Sequence, residues 1–163
     1  MKYVTIASDI SCDDINKITT WACYIRHAGG AIKRSGQFKD YQKSNDAETY
    51  ALINALTIAK NSIPDWNESK VIIHNEIEHV LSPITSPAGN IRKRDLDRAI
   101  KIRTLALPIL AEAKDWERRK IKAHFSAWEQ SDNPAKYALN RWCDQESRAL
   151  LRKLRSKKNK GEK

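Results

Sequence analysis

The chain reads as an α/β domain on a five-stranded mixed sheet, antiparallel in its first three strands and parallel afterwards, flanked by helices. Three observations carry that reading. Period-2 alternation fills the first quarter of the chain, in KYVTIASD, TWACYIRH and AIKRSGQFKDY, with a Gly29-Gly30 turn before the third run. A helix-period run, AETYALINALTIA, comes next. A short continuous apolar run, KVIIHN, then marks a strand covered on both faces, as central parallel strands are.

The elements follow in order. Residues 2–9 form a strand with Tyr3, Thr5 and Ala7 on one face and Val4 and Ile6 on the other. Residues 13–20 are polar and turn-like, and strands follow at 20–27 and 31–41. A helix is expected over about 46–60. Asn45 reads as its N-cap, and Glu48, three residues on, completes a capping box. Ala47, Ala51, Leu52, Ala55, Leu56, Ile58 and Ala59 cover much of its circumference, so it packs on the sheet. Pro64-Asp65 turns the chain into a strand at 70–75, and a short helix runs from Glu76 to Leu81. Residues 82–94 are loop-like, with two prolines, a glycine and a basic cluster. A helix over about 95–114 is bent at Pro108. A fifth strand is expected at 118–125, with Ile121, Ala123 and Phe125 on one face. Pro134 opens a last helix to about 155, with Leu139, Cys143, Leu150 and Leu154 along a stripe. Residues 1–155 thus form one domain, and 156–163 a basic, low-complexity tail expected to be disordered.

Composition bounds the function. At 163 residues and 40% hydrophobic, the chain is long and apolar enough for one folded domain. It holds no run of 18 apolar residues, and its first residues enter a strand pattern without a signal-peptide core, so no membrane partner is expected. Cys12, Cys23 and Cys143 form no CxxC pair, which points away from structural zinc and toward reduced thiols in the cytoplasm. The net charge is +10, from 30 Lys and Arg against 20 Asp and Glu. Seven of those cations and one Glu fall in 152–163. A basic chain of this kind suits a polyanion, and equally a solvated basic tail.

Four acids stand out against that charge. Asp9 ends the first alternating run, Glu48 opens the buried-looking helix, Glu76 ends the central apolar run, and Asp144 lies on the last helix. In this topology they would gather in one cleft, where hard oxygen ligands suit a divalent ion. Each has a structural alternative. Asp9 suits a strand end, Glu48 the capping box, Glu76 the first turn of a helix, and Asp144 an i,i+4 pair with Arg148.

Five segments, in order, resemble the type 1 ribonuclease H family. SDISC at 8–12 is similar to its T-D-G-S-C motif, and NDAETYALINAL at 45–56 to its N-x-x-E-L-x-A-x-x-x-A-L helix. VIIHNEIEHVL at 71–81 resembles I-x-x-x-T-D-S-x-Y-V, IKAHFS at 121–126 resembles V-K-G-H-x-G, and LNRWCDQESRAL at 139–150 resembles N-x-x-A/C-D-x-L-A.

The resemblance implies an RNase H-like fold and a hydrolase that cuts the RNA strand of RNA–DNA hybrids with two Mg²⁺ or Mn²⁺ ions. It implies that Asp9 bridges both ions, that Asp144 completes the ion activating water, and that Glu48 and Glu76 hold the ion at the leaving oxygen. It gives His124 a part in proton transfer or product departure. It places Cys12 and Asn45 near the 2′-hydroxyls of the RNA strand. Lys43 and Ser44, with Asn45, would meet a phosphate at the helix start, and Lys93 and Arg94 would add attraction. A monomer is expected.

The departures matter as much. Ile10 replaces the family's glycine, Glu76 its aspartate, and Asp46 and Glu78 add charge near the phosphate path. They keep two other readings open: a junction resolvase-like DNA nuclease of the same superfamily, and a catalytically weak nucleic-acid-binding module.

Overall fold

Strand β1 (Lys2–Asp13) runs through the centre of the sheet and pairs on both sides. A computed structural model of the chain describes residues 2–75, 96–120 and 134–161. The other described elements are β2 (Ile18–His27), β3 (Gly30–Gln37), α1 (Ser44–Ser62), β4 (Ser69–Asn75), α2 (Leu96–Lys101), α3 (Leu107–Ala111), β5 (Asp115–Lys120) and α4 (Pro134–Asn159). The sheet order is β3-β2-β1-β4-β5. β1, β2 and β3 are antiparallel neighbours, whereas β4 is parallel to both β1 and β5. The five-stranded mixed sheet of the sequence reading is therefore the observed one.

Two cores lie on its two faces. Val4, Ile6, Cys23, Ile25, Val71 and Ile73 pack against Leu52, Ala55, Leu56 and Ala59 of α1, with Ala106 and Leu110 beside them. Ala7 and Ala22 on the other face meet Leu139 and Cys143 of α4. Even-numbered residues of β1 therefore face α1 and odd-numbered ones face α4, as strand alternation requires.

Several boundaries differ from the sequence reading, each for a physical reason. β1 continues four residues past Asp9, because Ile10 to Asp13 stay paired with Trp21 to Ile18. Asp9 therefore sits inside a strand, not at its end. The β2–β3 turn is Ala28-Gly29, since His27 pairs with Gly30. Gly30 has φ +131, which a side chain rarely adopts. α1 begins two residues early: Lys43 is its N-cap, with no side-chain cap. Asn45 lies inside the helix, so the predicted capping box does not form and Glu48 does not serve that role.

The predicted bend at Pro108 appears as a π-helical stretch, Ile102–Ala106, just before it. Proline supplies no N–H for an ordinary helical bond, and the wider turn accommodates the loss. β5 starts at Asp115, three residues early. Lys114 N–H bonds Ser69 O at 3.0 Å and leads it in. An edge strand needs no apolar run, so DWERRK carried no strand signal. The buried stripe of α4 runs through Leu139, Cys143, Ser147 and Leu151, not Leu150. Its last turns take in the first residues of the basic tail. The predicted helix at 76–81, the loop at 82–94 and the strand residues after Lys120 lie outside the described residues.

Asp13 fastens α4 to the β1–β2 turn. Its Oδ1 accepts the N–H groups of Ile15 and Asn16 at 3.0 and 2.9 Å. Its Oδ2 accepts Asn16 Nδ2 at 2.8 Å and Arg155 Nε at 2.7 Å. Lys158 Nζ adds a bond to Asn16 O at 2.6 Å. The Asn16 side-chain and backbone bonds, then Arg155, hold the Asp13 carboxyl well below its ordinary 3.8. A carboxyl depressed on folding stabilises the fold above its unfolded pKa and loses that contribution as pH falls. Asp13→Asn should therefore be less stable than the parent at pH 7, and the gap should narrow below about pH 4. Urea midpoints at pH 7 and pH 3 measure it; an equal gap at both would disprove the linkage.

Candidate active site at the strand fork

Among the described residues, the parallel ladder between β1 and β4 runs from Lys2↔Ser69 to Ala7↔His74. The antiparallel ladder with β2 continues to Asp13. The end of the described parallel ladder lies beside the point where the chain direction in the sheet reverses. In open α/β sheets such a switch point, at the carboxyl ends of parallel strands, is where a crevice forms.

Asp9 lies two residues past the last β1–β4 pair, opposite Ala22. Its residue is buried, 8% exposed, and Oδ1 accepts the N–H of Ile10 at 2.8 Å. A buried carboxylate is costly unless it is bonded or paired. By alternation it faces α4. Ile10 faces the other way, toward α1, so its side chain is not directed with the Asp9 carboxylate.

α4 lies over this point by close, small contacts. Cys143 Sγ donates to Ala7 O at 3.5 Å. Ser11 and Ser147 share an Oγ···Oγ bond of 3.0 Å, and Thr20 Oγ1 donates to Ser147 O at 2.7 Å. Asp9 falls between Ala7 and Ser11, so the stretch of helix from Cys143 to Ser147 runs past it. Asp144 is there. Burial first, then the nearby Cys23 and Asp9, push the Cys143 thiol well above its ordinary value. Asp144 Oδ1 is held by Arg148 Nε at 3.0 Å, one turn on. The i,i+4 pair anticipated from sequence is therefore real.

Glu48 is half-buried on the second turn of α1, on the opposite side of the sheet. Its charge reaches Cys12, whose thiol is raised mainly by burial, with smaller contributions from Asp14 and Glu48. Cys12 Sγ donates to Gln42 O at 3.5 Å, and Thr19 Oγ1 donates to the same oxygen at 2.7 Å. These bonds tie the segment before α1 to the first hairpin. Lys43 and Ser44 are exposed at the start of α1. Asn45 is in that helix's first turn.

Asp9 thus lies on a strand packed between the helix that carries Glu48 and the helix that carries Asp144. Among the described residues, no three His, Cys, Asp or Glu side chains form a group able to hold a metal ion. Glu76, His124, Lys93 and Arg94 lie outside the described residues. The donor set itself, carboxylates alone, fits a hard divalent cation. His74, the last β4 residue paired with β1, is buried on the Asp9 side of the sheet. Its place in an apolar run gave it no functional signal.

No protein-family model matches the chain, and no curated protein matches it. Solved structures do. RNase H1 from the archaeon Halobacterium salinarum is similar with a TM-score of 0.58 at 18% identity, over 84% of this chain and 93% of that one. The chain has the ribonuclease H-like fold. The N-terminal RNase H domain of a Mycobacterium tuberculosis protein is similar over 94% of this chain and 99% of that one, with TM-score 0.60 and 13% identity. LC11-RNase H1, solved in complex with an RNA/DNA hybrid, has TM-score 0.57 and 16% identity over 74% of this chain and 86% of that one. In this RNase H-like fold, no described helix is long and apolar enough to cross a membrane.

The three thiols should report this packing. Cys143 and Cys23 are buried, the latter pushed to about 11, while Cys12 is only partly covered. A thiol-specific reagent at pH 8 should label Cys12 in the native protein, and all three thiols only in urea. Native labelling of Cys143 would show that α4 does not seat on β1 as described.

Proposed function

We propose that the chain is a metal-dependent endonuclease that hydrolyses the RNA strand of RNA–DNA hybrids. One observation carries this reading: a buried Asp9 just past the last described β1–β4 pair, on a strand packed between the helices that carry Asp144 and Glu48. The fold adds support, because a similar structure was solved with an RNA/DNA hybrid.

Asp9, Glu48, Glu76 and Asp144 would hold two Mg²⁺ or Mn²⁺ ions, with Asp9 shared between them. When bound, such a pair activates a water and stabilises the charge on the leaving oxygen. The chain's own residues do the rest. Asp9 supplies an oriented carboxylate, one oxygen fixed by the Ile10 N–H. Lys43 and Ser44 meet a phosphate at the start of α1, where the helix dipole favours an anion. Cys12 and Asn45 lie along the path of the RNA strand and sense its 2′-hydroxyls. His124 moves a proton at the cleft, and Lys93 and Arg94 contribute charge. Two ions would suit a set of four carboxylates in a chain of net charge +10.

The Asp144–Arg148 pair favours a second reading, that of a weakly catalytic nucleic-acid-binding module, because the guanidinium occupies an oxygen that a metal would take. Labelled RNA–DNA hybrid, double-stranded RNA, single strands and a four-way junction, each with Mg²⁺ or Mn²⁺, separate the possibilities. Hybrid-only cleavage leaving 5′-phosphate and 3′-hydroxyl ends is expected, and chelation should abolish it. Asp9→Asn should lower turnover at least on the order of a hundredfold with an unchanged circular dichroism spectrum. Cutting of junctions alone points to a resolvase. Binding without any cleavage points to the module.

Arg148→Ala tests the competition directly. The pair is largely exposed, so its loss should change unfolding stability by less than about 0.5 kcal/mol. Mn²⁺ binding, followed by water-proton relaxation, should tighten by about twofold, the equivalent of one such helical pair. Unchanged Mn²⁺ affinity would mean that Asp144 does not contact the ion.

A further inference from the structure

Several cations of this basic chain meet a carboxylate, and Lys17 and Lys101 each lie over a single tyrosine ring. Lys2 pairs with Asp65 and Glu68, Lys60 with Glu112, Arg119 with Glu117, and Arg155 with Asp13. On the α4 side of the β2–β3 hairpin the pattern changes. Lys33 Nζ lies 4.9 Å from the centre of the Tyr24 ring and 5.5 Å from that of Trp142. The Arg26 guanidinium lies 5.9 Å from the Tyr24 ring. The two rings meet edge to face, 5.7 Å apart. Among the described residues neither Arg26 nor Lys33 has a carboxylate partner; both are held by rings. Both are exposed.

The difference has a consequence. A carboxylate fixes a cation and cancels its charge. A ring fixes it through the quadrupole and leaves the charge in place. Arg26 and Lys33 are therefore oriented in advance with their positive charge unspent, and that lowers the entropy cost of gripping an anion.

Their place relative to Asp9 is set by register. Asp9, Ala22 and Ser35 form one row across β1, β2 and β3, and Ala7, Tyr24 and Lys33 form the next row on the same face. With strands ~4.8 Å apart and ~3.4 Å per residue, the Lys33 backbone is about 12 Å from that of Asp9. One nucleic-acid strand rises ~3.4 Å per step, so this distance is about three to four nucleotides. Ser35 Oγ also meets Glu146 Oε1 at 3.4 Å, which joins β3 to the helix that carries Asp144.

We propose that Arg26 and Lys33, seated on Tyr24 and Trp142, form a phosphate-binding ridge that grips the nucleic acid a few nucleotides from the cut at Asp9. The ridge rests on the reading of the chain as a hybrid nuclease. Its ligand is the phosphodiester backbone, so it carries no base preference.

The test is equilibrium binding of the full chain, in EDTA to prevent cutting, measured by fluorescence anisotropy. The probes are an RNA–DNA hybrid and a DNA duplex of equal length, between 50 and 200 mM salt. The variants are the doubly substituted Arg26→Gln/Lys33→Gln and, as reference, Lys2→Gln, whose charge already meets Asp65 and Glu68. The double variant should reduce the slope of log affinity against log salt by about 1.4–1.8, the contribution of two phosphate contacts. Its affinity should fall about tenfold or more near 100 mM salt, with turnover at saturating hybrid and thermal midpoint close to the parent's. Lys2→Gln should leave the slope unchanged.

A parent-like slope in the double variant, on both probes, overturns the ridge and makes the ring contacts packing alone. A collapse of the thermal midpoint would make the reading structural; Lys33→Arg, which keeps the charge on the rings, must then restore both slope and stability for the ridge to stand. If the parent binds duplex DNA but neither binds nor cuts hybrid, the hybrid reading fails while the ridge is still decided by the duplex slopes. If the parent binds neither probe, both fail.

Discussion

The pairing of β1 with two partners of opposite sense is the constraint on which the rest of the structure depends. Its antiparallel ladder with β2 spans Thr5 to Asp13, and its parallel ladder with β4 runs from Lys2 to Ala7 among the described residues. A strand paired on both edges is covered on both faces, so helices must lie on each. Val4 and Ile6 take α1, and Ala7 takes α4. Among the described residues, the second half of β1 pairs with β2 and carries Asp9 just past the last β1–β4 pair. Four residues earlier a carboxylate would be entombed between two ladders; four later it would be in the turn, where Asp13 makes local bonds instead.

Register decides how the helix that carries Asp144 meets that half of β1. The α4 face of the sheet is built from small groups, Ala7, Ala22, Cys143 and Ser147, all essentially without exposure. Small side chains let the helix approach closely, but they interlock weakly. Directional bonds supply what shape does not: Ser147 is bonded through its hydroxyl to Ser11 and through its carbonyl to Thr20. At the far end Asp13 takes Arg155. A slip of one turn, about 5.4 Å, would break every one of these at once. That cooperativity fixes the position of Asp144 more firmly than the modest apolar contact alone.

Much of this was legible in the sequence, and the failures have physical causes. The alternation of Val4 and Ile6 against Ala7 gave the two faces of β1, and VIIH gave a central strand covered on both sides. What alternation could not show was that β1 runs on through Ser11 and Cys12, since polar residues there are satisfied by α4 and by Gln42, not by solvent. β5 was misplaced because an edge strand owes nothing to hydrophobic pattern. The Asn45 cap failed because α1 starts earlier, at a lysine with no capping side chain. The ring-held cations were invisible for another reason. Tyr24, Lys33 and Trp142 are far apart in sequence, and only the β2–β3 register and the docking of α4 bring them together.

The correction at Asn45 changes the weight of the site residues. Glu48 had a complete structural explanation as the partner of an N-cap, and that explanation is gone. It is left as a half-buried carboxylate on the second turn of a helix that packs on the sheet, with its charge felt at Cys12. Asp9 is buried just past the last described β1–β4 pair, and Asp144 needs Arg148 to balance it. Like charges brought toward one point raise the free energy of the folded state, and proteins tolerate that where a ligand of opposite charge repays it. Asp144 shows the internal alternative, a guanidinium one turn away. An exposed i,i+4 pair contributes about 0.3–0.5 kcal/mol, far less than direct carboxylate–cation coordination supplies. If Asp144 holds a divalent ion, as proposed, Arg148 is a counter-ion that the ion would displace at little cost.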